Sequence, residues 1–431
     1  MHKSHIIKKN KTEKGITRLK RSITLPLLTF YGLGTIIGAG IYVLVGEVGG
    51  KAGMFAPIAF LIAAIIAGLT AISYAELSAR FPKSAAEAVF VFKAFRKKHF
   101  SLIIGLMVAL TALISSATLL NGFNGYYQLF FQPPGWAVIL VALLILGFIA
   151  IWGIKESAAA AAIITFIEVG GLIFITWAAR DFIATLPSRI PEMIPSLNFT
   201  VHGTLGIWIG ILMGSFIAFF AYIGVEDMIN VAEEVKNPKK NMPLGVFFAV
   251  GASTILYILV AVVVVLALPP SQLAGNESPL ASVYTASTGK APIIIGLISL
   301  IAIVNGILIQ IILASRIIYG LASNRWLPQI FDRLNLSYVN KTTRTPLVAT
   351  LIVIAITLIF ALWLPLITLA KLTSFIVLIV YSLVNLSLII IKKRTPYVKD
   401  VKSYPAFIPY LGFIFSLALV LFQMLGMLGI V

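Results

Sequence analysis

The chain has 431 residues, of which 60% are hydrophobic and 11% charged, and its formal net charge at pH 7 is +18. A soluble chain of this length needs far more charge to cover its surface, so the composition excludes an ordinary globular protein and indicates an all-α membrane protein. Cysteine is absent, which excludes disulfides, thiolate metal sites and cysteine nucleophiles, and the four histidines are too scattered for a metal site.

Eleven apolar segments follow one another along the chain. Each is close to the length of about 20 residues that a membrane-spanning helix needs. The predicted spans are 26–48, 54–78, 100–130, 135–153, 157–179, 204–232, 243–268, 291–321, 346–362, 366–391 and 405–429.

The basic residues sort to one side of these spans. With a cytoplasmic N-terminus, 28 of the 33 Lys and Arg residues fall in inside segments, while Lys51, Arg180, Arg189 and Lys290 fall outside. This asymmetry predicts a multi-pass protein of the plasma (inner) membrane with its N-terminus in the cytoplasm. The positive net charge is then explained by basic residues that orient the protein in the membrane and contact anionic lipid, so no nucleic-acid partner is expected.

The first span contains four glycines within nine residues: Gly32, Gly34, Gly38 and Gly40. Gly34 and Gly38 have the spacing of a helix-packing motif. A dinucleotide fingerprint needs a preceding strand and a soluble βαβ unit, and the sequence has neither. The remaining interpretation is an unwound stretch at 36–40, whose freed amides bind an anionic group and whose freed carbonyls bind a cation.

The sixth span is interrupted in the same way. Gly224 follows a run of aromatic residues, and Gly210 and Gly214 precede it. Spans one and six each open a set of five spans, and glycine-interrupted helices at equivalent places indicate the binding site of an inverted-repeat transporter. Because unwound backbone is tolerated at membrane depth only against protein or a cavity, we expect the two breaks to face each other.

Several segments in this order resemble amino acid permeases of the amino acid–polyamine–organocation (APC) superfamily. They are GLGTIIGAGIYVLVG, YAELSARFPKSAAEAVFVFKAF, GIKESA, FFAYIGVEDMINVAEEVKNPKKNMPLG, SRIIYGLASNRWLPQIF, TRTPLVAT and LTSFIVLIVYSLVNLSLIIIKKR. The resemblance implies a LeuT-type fold of two five-helix inverted repeats, about 26–179 and 204–391, with broken helices 1 and 6. A basic tail (1–25) precedes this core (26–391), and a cytoplasmic loop with a final helix (392–431) follows it.

The resemblance also implies a substrate site. In such permeases the α-carboxylate lies on amides of the first-helix glycine motif, here Gly38 to Gly40, and the α-amine lies on carbonyls that match Ile36, Phe220 and Ile223. Phe220 matches the aromatic gate that closes over the substrate. The predicted substrate-binding residues are Ile36, Ile37, Gly38, Ala39, Gly40, Phe220, Ala221, Tyr222, Ile223 and Asn305.

The chain departs from the family pattern in three places. Ala39 lacks the hydroxyl that many relatives carry there, so carboxylate binding would rest on backbone amides alone. Glu168 stands where many proton-coupled relatives have a lysine. The sequence predicts eleven spans, whereas most relatives have twelve, so the contacts that would form an oligomer are not predicted.

Two intramembrane carboxyl groups are candidates for proton coupling. A charge at the centre of a spanning helix costs about 2.5–3.5 kcal/mol, so Glu168 is either a proton carrier coupled to the first helix or a protonated, hydrogen-bonded structural group. Glu226 matches a carboxylate near the site of arginine-exchanging relatives, and its alternative role is a structural hydrogen bond. Asn305 and Gln310 are polar positions in span eight, where interhelical hydrogen bonds are the plain alternative.

The sequence therefore predicts a proton-coupled secondary transporter of amino acids that works by alternating access, with a neutral substrate favoured. The first alternative is a cationic amino acid or polyamine exchanger, and the second is a membrane sensor that binds an amino acid without moving it. No cofactor or metal is expected, sodium coupling stays open, and no constellation of catalytic residues suggests an enzyme.

Overall fold

The structure is a computed structural model that describes residues 21–81, 86–153, 158–198, 203–323, 326–340, 342–399 and 401–429. Positions 1–20 of the predicted tail lie outside the described residues, as do 154–157 within the GIKESA segment. The described residues form helices and connecting loops, and the one β-type pairing among them is an isolated bridge between Ile23 and Val235.

Fifteen described α-helices are longer than five residues. They are α1 (Leu25–Ile37), α2 (Gly40–Ala52), α3 (Ala56–Arg80), α4 (Ala86–Phe95), α5 (Lys98–Tyr127), α6 (Gly135–Trp152), α7 (Ala158–Ala178), α8 (Thr204–Ala218), α9 (Val225–Asn230), α10 (Pro238–Ala267), α11 (Pro279–Thr288), α12 (Ile293–Ser323), α13 (Leu347–Trp363), α14 (Leu366–Arg394) and α15 (Phe407–Met427).

The eleven predicted spans each find their counterpart in the described part of the chain. Span one consists of α1 and α2, span six of α8 and α9, and the others are single helices. Eight helical segments are long and apolar enough to cross a membrane, and the shorter apolar helices include α1 and α13. Helices α4 and α11 are not spans: α4 lies in the predicted cytoplasmic segment 79–99, and α11 in the outer connection before α12.

The packing partners repeat between the two sets of five spans. Helix α3 packs on α10, α5 on α12 and α6 on α13, so the second, third and fourth spans each pair with their counterparts. Helix α1 packs on α10 and α7, and α8 makes the equivalent contacts with α3 and α14. These reciprocal pairs are those of an inverted repeat, and they confirm the predicted five-plus-five fold. The final helix, α15, packs outside this core on α14 and α3.

Candidate binding site between the broken helices

The first break lies between α1 and α2. Gly38 has φ 20° and ψ −147°, a conformation that ends α1, and its amide still donates to Gly34 O over 3.1 Å. Helix α2 then begins at Gly40 with no side-chain cap. The first amides of a helix have no acceptor within the helix, so the start of α2 offers N–H donors and a partial positive charge to an anionic group.

The second break follows α8. Phe219–Tyr222 form a 3₁₀ turn, Ile223 is extended, and Gly224 has φ 124° before α9 begins. A Cβ at Gly224 would lie 2.3 Å from Thr35 O, so both the backbone conformation and the close approach require glycine here.

The two breaks are in direct contact. Thr35 Oγ1 lies 3.1 Å from Gly224 O and donates to it. A Cβ at Gly40 would lie 2.8 Å from Ala221 Cα, so the start of α2 rests on the 3₁₀ turn of the other repeat. The prediction that the breaks face each other is confirmed, and the glycines are what allow the two backbones to meet.

Tyr257, on α10, joins the two breaks from one side. Its hydroxyl lies 2.6 Å from Ile36 O and 2.8 Å from Ala221 O, within donating distance of both. The side chain is fully buried. The sequence analysis missed Tyr257, although a tyrosine inside the valine-rich run of span seven was a signal, because a hydroxyl at membrane depth needs a partner.

A cavity of about 30 Å³ lies between the breaks and helices α5 and α12. That volume holds about two water molecules, so the space between the breaks is smaller than an amino acid. No acidic or basic side chain lines it within the described residues. The lining residues are Gly34, Thr35, Ile36, Gly38, Ala39, Gly40, Ser115, Leu119, Phe220, Ile223, Gly306, Ile309 and Gln310.

Six of the ten predicted substrate-binding residues line this cavity: Ile36, Gly38, Ala39, Gly40, Phe220 and Ile223. The other four lie beside it. Ile37 and Ala221 are buried in the core, Tyr222 Oη donates to Phe60 O over 3.3 Å, and Asn305 turns toward Glu168.

Two of the carbonyls that the resemblance assigns to the amine already have partners within the protein. Ile36 O accepts from Tyr257, and Phe220 O accepts from the amide of Ile223 over 3.2 Å. A carbonyl has two lone pairs, so each retains the capacity to accept a second hydrogen bond.

Helices α5 and α12 supply lining residues that the sequence analysis did not single out, among them Ser115, Leu119, Gly306 and Ile309. Gly306 had a recognisable signal, a glycine in the middle of an apolar span. A Cβ there would lie 3.4 Å from Ala39 Cβ and 2.9 Å from Leu119 Cδ1. Gly306 therefore lets α12 approach the first break.

Glu168 lies on α7 against the first broken helix and is fully buried. Asn305 Nδ2 donates to its Oε1 over 3.1 Å. Its other oxygen lies 3.8 Å from the place a Cβ would take at Gly34, and Tyr42 Oη donates to its backbone carbonyl over 2.5 Å. The structure thus brings together a predicted coupling residue, a predicted polar residue of span eight and the glycine motif of span one.

Glu226 lies at the start of α9, directly after the second break. Its Oε2 accepts from Gly224 N over 3.2 Å and from Tyr381 Oη over 3.0 Å. The neighbouring Asp227 is 4% exposed, and neither of its carboxylate oxygens has a hydrogen-bond partner in the described part of the chain. As expected for adjacent positions on a helix, the two carboxyl groups have different surroundings.

Comparison with known proteins gives a consistent set of relatives. The sequence profile of the amino acid permease family matches residues 23–430. Cationic amino acid transporter 3, mitochondrial, of Arabidopsis thaliana is 30% identical over 88% of this chain and 63% of its own length. The branched-chain amino acid permease BcaP of Bacillus subtilis is 26% identical over 94% of this chain and 89% of its own. The methylthioribose transporter of Bacillus subtilis is 25% identical over 91% and 85%.

Proposed function

The chain belongs to the amino acid permease family, a family of membrane transporters and not of enzymes, and on this premise we propose that it is a secondary transporter of amino acids. The observation that carries the proposal is the contact between two broken helices beside a small cavity whose described lining residues carry no charge. Because the chain spans 63% of the length of the Arabidopsis relative, the activity is inferred from the site and not from that protein.

The proposed substrate is the zwitterionic end of an amino acid. Its carboxylate is placed at the free amides at the start of α2, where the helix dipole favours an anion. Its ammonium is placed at the carbonyls of the two breaks, beside Ile36 and Phe220. Helix ends solvate both charges without putting a full protein charge into the membrane.

The cavity favours a neutral side chain. Apart from Ser115, Thr35 and Gln310, the side chains that line it are apolar or absent, and none of the described ones is ionised. A cationic side chain would have to leave water without a carboxylate beside it, which is costly in a low-dielectric site. Phe220, which is 4% exposed, is the proposed gate over the substrate.

A cationic amino acid or polyamine is the second candidate substrate. The names of several relatives support it, including cationic amino acid transporter 2, vacuolar, of Arabidopsis thaliana at 29% identity. Glu168 and Glu226 lie one layer behind the cavity and are the carboxylates that a substrate cation would have to reach.

Competition in proteoliposomes separates the two candidates. The purified protein is reconstituted, and uptake of labelled leucine is measured with excess arginine, putrescine or alanine outside. The neutral assignment expects inhibition by alanine and none by arginine or putrescine. Strong inhibition by arginine, together with uptake of labelled arginine, would transfer the assignment to the cationic class. Binding of labelled leucine without any uptake would indicate a sensor instead of a transporter.

The proposed driving ion is the proton, with Glu168 as its carrier. The support is geometric: the carboxyl group is buried, lies beside Gly34 of the first broken helix and accepts a hydrogen bond from Asn305. Imposing a proton gradient or a sodium gradient, each without the other, tests the assignment, because only the coupled ion drives accumulation of the amino acid.

The proposed location is the plasma membrane with a cytoplasmic N-terminus, since 28 of 33 basic residues fall on one side. The absence of native cysteine makes a direct test simple. Lys290→Cys is expected to react with a membrane-impermeant maleimide on intact cells. Lys393→Cys is expected to react only after the membrane is opened, and the reverse result would invert the topology.

A further inference from the structure

A second cavity lies apart from the one between the breaks, where α3, α4, α5, α9 and α14 meet. Its volume is about 10 Å³, close to the ~10–15 Å³ that one water molecule needs. Among its described lining residues, the polar ones are Tyr74, Glu87, Thr111, Glu226 and Tyr381. No residue is shared with the lining of the first cavity.

Two polar atoms at this cavity face each other without a direct hydrogen bond. Tyr74 Oη and the carboxyl group of Glu87 act on each other, but neither Tyr74 Oη nor Glu87 Oε1 makes a hydrogen bond within the described residues. Tyr74 is fully buried and Glu87 is 3% exposed. Buried polar groups are nearly always satisfied, so two orphaned atoms at a water-sized cavity indicate an occupant that can both donate and accept. Tyr381 Oη and the carboxyl group of Glu226 complete the set of polar contacts that a water molecule requires.

The surroundings of this cavity are acidic. Glu87, Glu226 and Asp227 are all buried, and their charges act on one another. Within the described chain neither Glu87 nor Asp227 makes an ion pair, and the other titratable groups facing the three carboxyl groups are the hydroxyls of Tyr74 and Tyr381. Buried carboxylates that lie close together repel one another and do not all ionise over the same pH range, so at least one keeps its proton to a higher pH.

Glu87 is positioned to be the group that titrates. It lies on α4, which is not one of the eleven spans. Burial above all, together with the charge of Glu226, raises the pKa of Glu87 to about 7.

Glu226 connects this cavity to the second break. One of its oxygens, Oε2, accepts from the amide of Gly224 and from the hydroxyl of Tyr381. An ionised carboxylate accepts such bonds more strongly than a neutral carboxyl group. The protonation state of Glu226 therefore alters the strength of its hydrogen bond with the amide of Gly224. The backbone of Gly224 in turn packs against Thr35 of the first broken helix.

We propose that Glu87 and Glu226 share one proton through a water molecule in this second cavity, and that this is a proton site separate from Glu168. Glu87 donates its proton to the water, and the water donates one of its own to the Glu226 carboxylate, so Glu87 becomes ionised and Glu226 neutral. The binding of the proton stands on the cavity alone, whereas its effect on the helix break during transport rests on the proposed function.

Infrared difference spectroscopy of the full-length protein in lipid, without any amino acid, tests the proton site. We expect the carbonyl band of a buried, protonated carboxyl group to be lost as the pH rises through about 7. Glu87→Gln should abolish this titration, and Tyr74→Phe should shift its midpoint without removing it. Glu192→Gln, which changes an exposed carboxyl group, is the control and should leave the band unchanged.

An unaltered titration in Glu87→Gln would overturn the proposal, and so would a titration that disappears in Glu168→Gln but not in Glu87→Gln. Amino acid binding is measured separately by thermal shift on the same samples. A Glu87-dependent band without amino acid binding would count against the proposed transport function and leave the proton site intact. Amino acid binding without a Glu87-dependent band would contradict the proton site and leave the proposed transport function intact.

Discussion

Asn305 on α12 donates a hydrogen bond of 3.1 Å to Glu168 on α7. The two residues are 137 positions apart and belong to different repeats, yet they meet directly behind the glycines of the first broken helix. Thr165, one turn before Glu168, donates to Phe30 O over 3.2 Å and faces Gly34. Movement of α1 would change the surroundings of this carboxyl group, and the proposed coupling of proton binding to a conformational change requires such a link.

Replacing Glu168 by Gln is expected to leave amino acid binding in place and to remove the dependence of uptake on external pH. Glutamine keeps a hydrogen-bonding side chain of the same shape toward Asn305 but cannot carry a proton. Initial uptake rates in proteoliposomes over a range of external pH give the measurement, with the exposed Glu192→Gln as the matched control. A pH profile in Glu168→Gln that matches the wild type would exclude this residue as the carrier.

Replacing Gly40 by Ala is expected to abolish transport and to destabilise the protein. The new Cβ would stand 2.8 Å from Ala221 Cα, so the backbones of the two breaks must separate. Overpacking of this kind costs about 1–3 kcal/mol. Gly251→Ala on α10 is the control, because a Cβ there meets nothing within 4 Å.

Since alanine favours helix over glycine by about 1 kcal/mol, the control variant should unfold at the same or a higher temperature. Thermal unfolding and uptake are measured on both variants. Equal behaviour of Gly40→Ala and Gly251→Ala would show that the contact between the breaks is not needed.

Replacing Tyr257 by Phe is expected to loosen both breaks while keeping the core filled. The hydroxyl that reaches Ile36 O and Ala221 O is lost, and both carbonyls are buried. Leaving buried acceptors unsatisfied costs about 1–3 kcal/mol. Tyr338→Phe removes a hydroxyl from a residue that is 46% exposed, so its effect should be close to zero. Unfolding free energies give the comparison, and equal values for the two variants would contradict the bridging role.

The positions of the breaks could be predicted because a glycine within an apolar span indicates where a helix can be interrupted. Gly38, Gly40 and Gly224 are residues at which the backbone turns or touches its neighbour, and their spacing in the sequence showed where. The pairing of the breaks followed from their equivalent places in two sets of five spans. The local sequence thus indicated both where each helix is broken and that the two breaks occupy equivalent places in the two repeats.

The side chains that surround the breaks could not be predicted in the same way. Tyr257 lies 221 positions from Ile36. The apolar sequence around Tyr257 does not indicate which distant helix contains the acceptor of its hydroxyl group. Glu87 stood in a predicted cytoplasmic segment, where a carboxyl group is normally solvated. It is buried because α4 folds against α5 and α14, a tertiary contact that hydropathy does not encode.

Replacing Glu76 by Gln is expected to destabilise the protein strongly without changing substrate preference. Its fully buried carboxylate pairs with Arg80 at 2.6 Å and Lys392 at 2.9 Å, and it accepts from Tyr404 N at 3.0 Å. Removing one partner of a buried ion pair costs about 3–5 kcal/mol because the other charge is left uncompensated.

The control is again Glu192→Gln, which breaks an exposed ion pair with Arg189 and should cost about 0–1 kcal/mol. Thermal unfolding measures both variants, and competition between amino acids during uptake checks specificity. A small change in stability for Glu76→Gln would mean that the cluster is hydrated and weak.

The pH dependence of stability gives a test of Glu87 that needs no transport. Its pKa in the folded protein is raised from 4.5 to about 7, chiefly by burial. The folded state therefore binds more protons than the unfolded state between these values, so its stability falls as the pH rises through that window. The contribution of Glu87 is fully present below 4.5 and is lost above about 7. In Glu87→Gln this loss should be absent, which makes the variant relatively more stable above neutral pH than below pH 5. Unfolding midpoints of wild type and variant measured across this range decide the matter, and parallel curves would show that folding does not raise the pKa of Glu87.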